Sequence, residues 1–262
     1  MKLVNLTISC LVIFLFCTSV VFARDYYIDY ENGDDANNGQ TKNTPWKRAP
    51  GMLGFSSDYE HQGGDNFVFK GGVVWPSNLF AKQGGWTIVN SGTAENFDTY
   101  RADLSWYKGD TWTRPLFDGE DNVRDLLTIY GDYIEINNLE MTNIAVDNFD
   151  DWFIQTHGDY IEIKNCHLHE HTYNEPSVVD HKWGAIAIDS SDYVTIDSCI
   201  IEGDSIVANK AYDNGVGIYQ NKSTATYGVE IKNNEIYGFT TLIVLGKLQN
   251  SSIHDNILHT SR

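Results

Sequence analysis

"GDYIEINNLEMTN" (131–143) is followed by "GDYIEIKNCHLHE" (158–170), nearly the same phrase 27 residues further on. Three looser copies follow: "YVTIDSCIIEG", "YGVEIKNNEIYG" and "NSSIHDNILHTS". Anchored on one isoleucine per copy, the series runs Ile136, Ile163, Ile196, Ile231 and Ile253, in steps of 27, 33, 35 and 22 residues. Steps of this size mark a repeat architecture, in which one unit cannot bury its apolar face alone and does so against its neighbours.

Within each copy the apolar residues alternate, as in Ile134/Ile136 with Leu139/Met141, or Ile161/Ile163 with Cys166/Leu168. That is the period of a β-strand. Two positions after each anchor stand Asn138, Asn165, Ser198, Asn233 and Asp255, residue types that tolerate left-handed backbone and bond their own main chain. They predict a tight turn between two short strands, and stacked turns would let asparagine amides bond each other from rung to rung. A third apolar run precedes each phrase: "LLTIY" (126–130), "WFIQT" (152–156), "AIAID" (185–189), "GVGIY" (215–219) and "TLIVL" (241–245).

Three short strands per repeat, each with one inward stripe, predict one coil of a parallel β-helix, each strand pairing with its equivalents above and below. Propellers and sandwiches need longer strands joined by hairpin turns, and the Asn-Gly and Asp-Gly signals of such turns are mostly absent from the repeats. Cys166 and Cys199 fall in one column. Two readings stay open for them: a pair of buried free thiols, or a disulfide, since a strand spacing of about 4.8 Å brings them within reach.

The first 23 residues read as a signal peptide: Lys2, an uncharged apolar run up to Arg24, and Val21-Phe22-Ala23 as a cleavage site. The expected product is secreted (extracellular, periplasmic or at the cell surface), with no stable membrane insertion. Loss of Lys2 takes the formal charge from −18 to −19. So acidic a chain disfavours nucleic acid and anionic membrane, whose phosphates need Lys and Arg. An acidic polysaccharide would need a local basic patch or a bridging cation.

The less periodic N-terminal third carries a resemblance. "DYYIDYENGDDANNGQTKNTPW", "GGDNFVFKGGVVW" (63–75), "NSGTAENFDTY" and "SWYKGDTWTRPLFDG" resemble the first strand and early coils of secreted right-handed parallel β-helix proteins of the pectate-lyase-like superfamily. The resemblance implies an all-β, single-stranded right-handed solenoid. Residues 24–125 would form an N-terminal cap and first irregular coils, with 45–62 as the cap. Residues 126–262 would form regular coils without a C-terminal cap. It leaves the reaction open, because the superfamily holds lyases, hydrolases, esterases, epimerases and adhesins.

Chemistry is expected on the insertions after the third strands, "IAVDNFDD" (144–151), "HTYNEPSVVDHK" (171–182) and "DSIVANKAYDN" (204–214). Stacked coils would line these up along one edge of the first-strand sheet, walling a groove suited to a polymer such as a polysaccharide or other glycan. Asp151, Asp180 and Asp213 are the candidate Ca²⁺ ligands, because calcium takes several oxygen donors. By resemblance, a lyase uses a Lys or Arg to remove the proton beside a uronate carboxyl neutralised by Ca²⁺. This makes Lys182, with His181 beside it and Asp189 near, the candidate catalytic group. Hydrolysis would instead need a carboxyl pair about 5–9.5 Å apart, for which Asp180 with Asp189, or Asp151 with Asp180, qualify. Gln155, Trp183, Tyr219 and Lys210 are the candidate substrate contacts, with Trp152 a further outward aromatic. His157-Gly158 falls at a coil turn and reads as geometry. In "CHLHEH", His167, His169 and His171 are expected to share one strand face, about 7 Å between neighbours along the strand. That is too far apart to chelate one zinc.

Overall fold

The computed structural model describes residues 23–146, 151–173, 183–203, 215–220 and 225–259. Its strands form three long parallel sheets of eight, six and seven strands, in which sequence-distant strands are neighbours. Sheet 1 holds the runs that precede each phrase: Trp86–Ile88, Leu127–Ile129, Asp151–Thr156, Trp183–Ile188, Gly215–Gln220 and Thr241–Val244. Sheet 2 holds the first half of each phrase, and sheet 3 the second half. Each circuit of the chain visits sheets 1, 2 and 3 in turn, so every strand lies parallel to its counterpart one coil away. Among the described residues no helix is long and apolar enough to cross a membrane.

The predicted registration is present. Ile136, Ile163, Ile196, Ile231 and Ile253 are consecutive partners in sheet 2. Sheet 1 carries the file Ile154, Ile186, Ile218, Ile243, and sheet 3 the file Phe117, Met141, Leu168, Ile201, Ile236, Leu258. The three files meet in one core. Its interior members, including Ile163, Ile186 and Leu168, have no exposed surface. On the last described coil Ile253, Ile257 and Leu258 are exposed.

The turns between sheets 2 and 3 are left-handed where expected, with φ of 60°, 54°, 57°, 56° and 57° at Asn138, Asn165, Ser198, Asn233 and Asp255. Rung-to-rung amide bonds occur, though not as one uniform ladder. Asn165 Nδ2 donates to Asn137 Oδ1 at 3.0 Å, whereas the buried ladder sits one residue past the turn, with Asn234 Nδ2 donating to Asn256 Oδ1 at 3.0 Å. Replacing Asn165 by Ala removes both its inter-coil bond and its tolerance of positive φ. Urea denaturation should show a loss of about 1–2 kcal/mol. Asn165→Gly keeps the backbone freedom and should lose less, and equal losses would refute the conformational part of this account.

A second stack closes the turns from sheet 1 to sheet 2. Tyr133, Tyr160 and Tyr193 are also left-handed, and their rings stack at 4.6 Å per step. Asp132 and Asp159 accept the backbone N–H of Asp159 and Asp192 at 2.8 Å, tying each coil to the next. The stack ends where Gly228 (φ 65°) takes the tyrosine position, since a Cβ there would lie 2.4 Å from the Tyr193 ring. At the first coil, Trp46 stacks on Tyr26 at 4.4 Å and Phe67 on Tyr100 at 4.6 Å. Cys166 and Cys199 are free and buried, and burial pushes the Cys199 thiol well up, so it is held protonated.

Candidate functional site

The ends of the third-strand insertions converge as stacking requires. Asp151, which ends the first insertion, and Trp183 and Gly215, which follow the other two, are consecutive partners at the start of their sheet-1 strands. The first three residues of the first two insertions, 144–146 and 171–173, continue the sheet-3 strands and pair with each other as far as Val146 and Tyr173. The insertion-bearing edge therefore borders the outer face of sheet 1. Across that face one file runs Thr128, Gln155, Ala187, Tyr219, Val244. Trp152 lies over Gly184, where an added Cβ would come within 3.0 Å of its ring. Its indole then stacks parallel to Tyr219, 5.6 Å between centroids and 5° between planes, in a small apolar cluster with Ala187 and Val216. Trp152 is 2% exposed, against its reading as an outward aromatic, so half-buried Tyr219 is the open part of this aromatic platform.

Beneath the platform, Asp125 accepts Gln155 Nε2–H at 2.7 Å and the backbone N–H of Gly84 and Trp152 at 2.9 and 3.2 Å. Burial pushes its carboxyl pKa up, and these three donors pull the other way. At the far edge of the sheet, Asp189 Oδ2 lies 3.8 Å from His157 Nε2, and His157 stacks on Tyr130 at 4.7 Å. Gly131 and Gly158 are geometric, as expected: an added Cβ would sit 1.8 Å from the Asn90 carbonyl oxygen and 2.1 Å from that of Gly131. Sheet 1 thus brings Gln155 and Tyr219 to one outer face, two coils apart, while Asp189 lies past the end of the strand Trp183–Ile188.

Two candidates are placed differently. Trp183 is 4% exposed and turned into the core, its ring 4.9 Å from His171, so core packing replaces the expected stacking on a sugar. Asp151 has no exposed surface and accepts Arg124 Nε–H at 2.7 Å. A carboxylate buried against a guanidinium is not a fitting calcium ligand, and it is no accessible partner for Asp180 in hydrolysis. His181, Lys182, Lys210, Asp180 and Asp213 lie outside the described residues.

The histidine pattern needs a correction too. Glu170 adopts φ 62° and its sheet-3 counterpart region has Asn143 at φ 55°, which bends both strands after the second histidine. His171 is therefore turned inward among Phe153, Trp183 and Phe239 instead of sharing the outer face. Burial lowers its pKa to about 3, keeping the ring neutral. His167 and His169 do share the outer face and lean together, with ring centroids 4.3 Å apart. Glu140, the partner of His167 on the preceding coil, joins them, and donor atoms of all three lie within 4.8 Å of one another. A group able to hold a metal ion is therefore present, where the spacing along one strand argued against it. Aligning the repeated phrases would have found it, because Glu140 and His167 occupy the same place in successive copies.

No protein-family model and no curated protein matches the sequence. Among solved structures, the chain is similar to a rhamnogalacturonan lyase, with TM-score 0.55 and 15% identity over 90% of this chain and 63% of that one. It is also similar to pectate lyase Pel9A, with TM-score 0.55 and 16% identity over 91% of this chain and 58% of that one. The chain spans about 60% of the length of these structures. At such identities the likeness concerns the fold, which is the right-handed parallel β-helix expected from the repeats.

Proposed function

We propose that this chain acts on a polysaccharide after secretion, as a lyase that uses the outer face of sheet 1 as its groove. The observation that carries the reading is the placement of Gln155 and half-buried Tyr219 in one outward file of sheet 1, bordered at the strand starts by the insertion ends. Flat apolar rings suit sugar faces, and a shallow open sheet suits a polymer better than a closed pocket does. Two fold neighbours whose names are those of polysaccharide lyases agree with this choice. In this reading Lys182 takes the proton beside the uronate carboxyl with His181 next to it, and Lys210 with Gln155 and Tyr219 holds the chain; the expected help from Asp189 is given up, because the extended strand Trp183–Ile188 holds it on the order of 20 Å from residue 182. Calcium dependence belongs to the same proposal through Asp180 and Asp213.

The test is incubation with uronate-containing polysaccharides, including rhamnogalacturonan and pectate, with and without a chelator. Unsaturated products, lost on chelation and restored by Ca²⁺, are expected. Lys182→Ala should lower kcat at least about a hundredfold, and Tyr219→Ala should raise KM about tenfold with little change in kcat. New reducing ends without unsaturation would make the protein a hydrolase, and binding without turnover would make it a glycan-binding protein. Either outcome overturns the lyase assignment.

A further inference from the structure

We infer that Glu140, His167 and His169 form a transition-metal site of the zinc class on the outer face of sheet 3, clamping two adjacent coils. His169 Nε2 lies 3.0 Å from Glu140 Oε1, and His167 Nδ1 lies 3.8 Å from the same oxygen. Ligands of a tetrahedral zinc bound at about 2.0–2.2 Å stand roughly 3.4 Å apart. These separations bracket that value, so small side-chain rotations close the set. Two imidazoles and one carboxylate select zinc and its transition-metal neighbours over calcium or magnesium, which prefer oxygen donors.

The surroundings point the same way independently. A metal-bound imidazole needs an acceptor for its other ring N–H, which fixes the tautomer and raises ligand basicity. His167 Nε2 has no hydrogen-bond partner and faces Glu202 Oε2 at 3.8 Å. His169 Nδ1 lies 3.4 Å from Thr142 Oγ1 and 3.7 Å from Glu170 Oε2, and Thr142 itself donates to Glu170 at 2.9 Å. Glu202 is in turn held by the Tyr237 hydroxyl at 2.8 Å. With Nδ1 of His167 and Nε2 of His169 directed at Glu140, both remaining ring nitrogens face acceptors. The cation nearby, Arg114, donates to the Asn165 carbonyl and is outweighed by the carboxylates of Glu140, Glu170 and Glu202.

Three protein ligands leave the fourth position to water or an exogenous group. Because Glu140 belongs to one coil and the histidines to the next, a bound ion adds a cross-link between strands already joined by backbone hydrogen bonds and by the Thr142–Glu170 side-chain bond. The inference is independent of the groove on sheet 1 and of whether a polysaccharide is cleaved there.

Untagged protein, stripped with a chelator and dialysed, should bind one Zn²⁺ per chain by calorimetry and one Co²⁺ with a visible spectrum typical of histidine ligation. At free zinc about a hundred times Kd, the thermal midpoint should rise by roughly 5–10 °C, a rise lost in His169→Gln, whereas any effect of Ca²⁺ should be the same in both proteins. His169→Gln and Glu140→Gln should weaken zinc at least a hundredfold with unchanged far-UV circular dichroism, and Glu202→Gln about 10–100-fold. In the unmodified protein, zinc should shield His167 and His169 from carbethoxylation, read by mass spectrometry. Absence of zinc binding would leave only a histidine–carboxylate ion-pair network. Undiminished binding in His169→Gln, or shielding confined to histidines such as His254 and His259, would place the ion elsewhere. Each of these results overturns the site.

Discussion

Arg124→Met should lower the unfolding free energy by about 3–5 kcal/mol, the cost of removing one partner of a buried ion pair. The Arg124 guanidinium is buried and donates to Asp151, which has no exposed surface. Asp151 opens a sheet-1 strand, so the loss of this partner falls where successive coils must close on one another. A typical domain has only about 5–15 kcal/mol in hand, so the variant should unfold at markedly lower urea. Arg124→Met combined with Asp151→Leu should recover most of the loss, because an apolar pair avoids both desolvation penalties. The cycle separates the cost of removing one partner from the worth of the pair. A single-variant loss under about 1 kcal/mol would mean that water or another group already compensates Asp151.

The same ion pair shows where sequence reasoning stops. The sheets and their core files were legible because they depend on quantities a sequence displays directly: a period of two within strands, a fixed offset to the turn asparagine, and an isoleucine recurring at one place. What was not legible depends on side chains reaching across coils. Asp151 read as an accessible carboxylate because Arg124, on the preceding coil, has no counterpart in the repeated phrase. Trp183 read as an outward aromatic because its orientation depends on Phe239 and His171, both distant in sequence. His171 was placed by strict alternation, which fails once Glu170 takes a left-handed conformation. That residue type gives no local sign of positive φ, unlike the asparagines at the other turn. The Glu140–His167–His169 group was missed because distance was reckoned along one strand, while the relevant neighbour lay one coil below.

The stacking itself makes the sharpest forecast, a contrast between two chemically identical substitutions. Ile163→Ala should cost about 2–5 kcal/mol, since the lost methyl and methylene groups leave a cavity that the structure cannot collapse into. Ile136 and Ile196 flank the site at matching register in sheet 2, with backbone hydrogen bonds holding both coils at fixed spacing. All three isoleucines have no exposed surface, so neither solvent nor a flexible neighbour can fill the space. Ile253→Ala occupies the same file but lies on the last described coil, where the side chain is 48% exposed. Its cost should stay within about 1 kcal/mol, because much of its surface already meets water and no closed cavity forms. Parallel urea titrations of the two variants, with equal slopes, would measure the contrast. Similar losses at both positions would show that the isoleucines contribute through local strand propensity. A file of side chains buried by the coil on either side predicts the opposite, a steep fall in cost from the middle of the file to the last described coil.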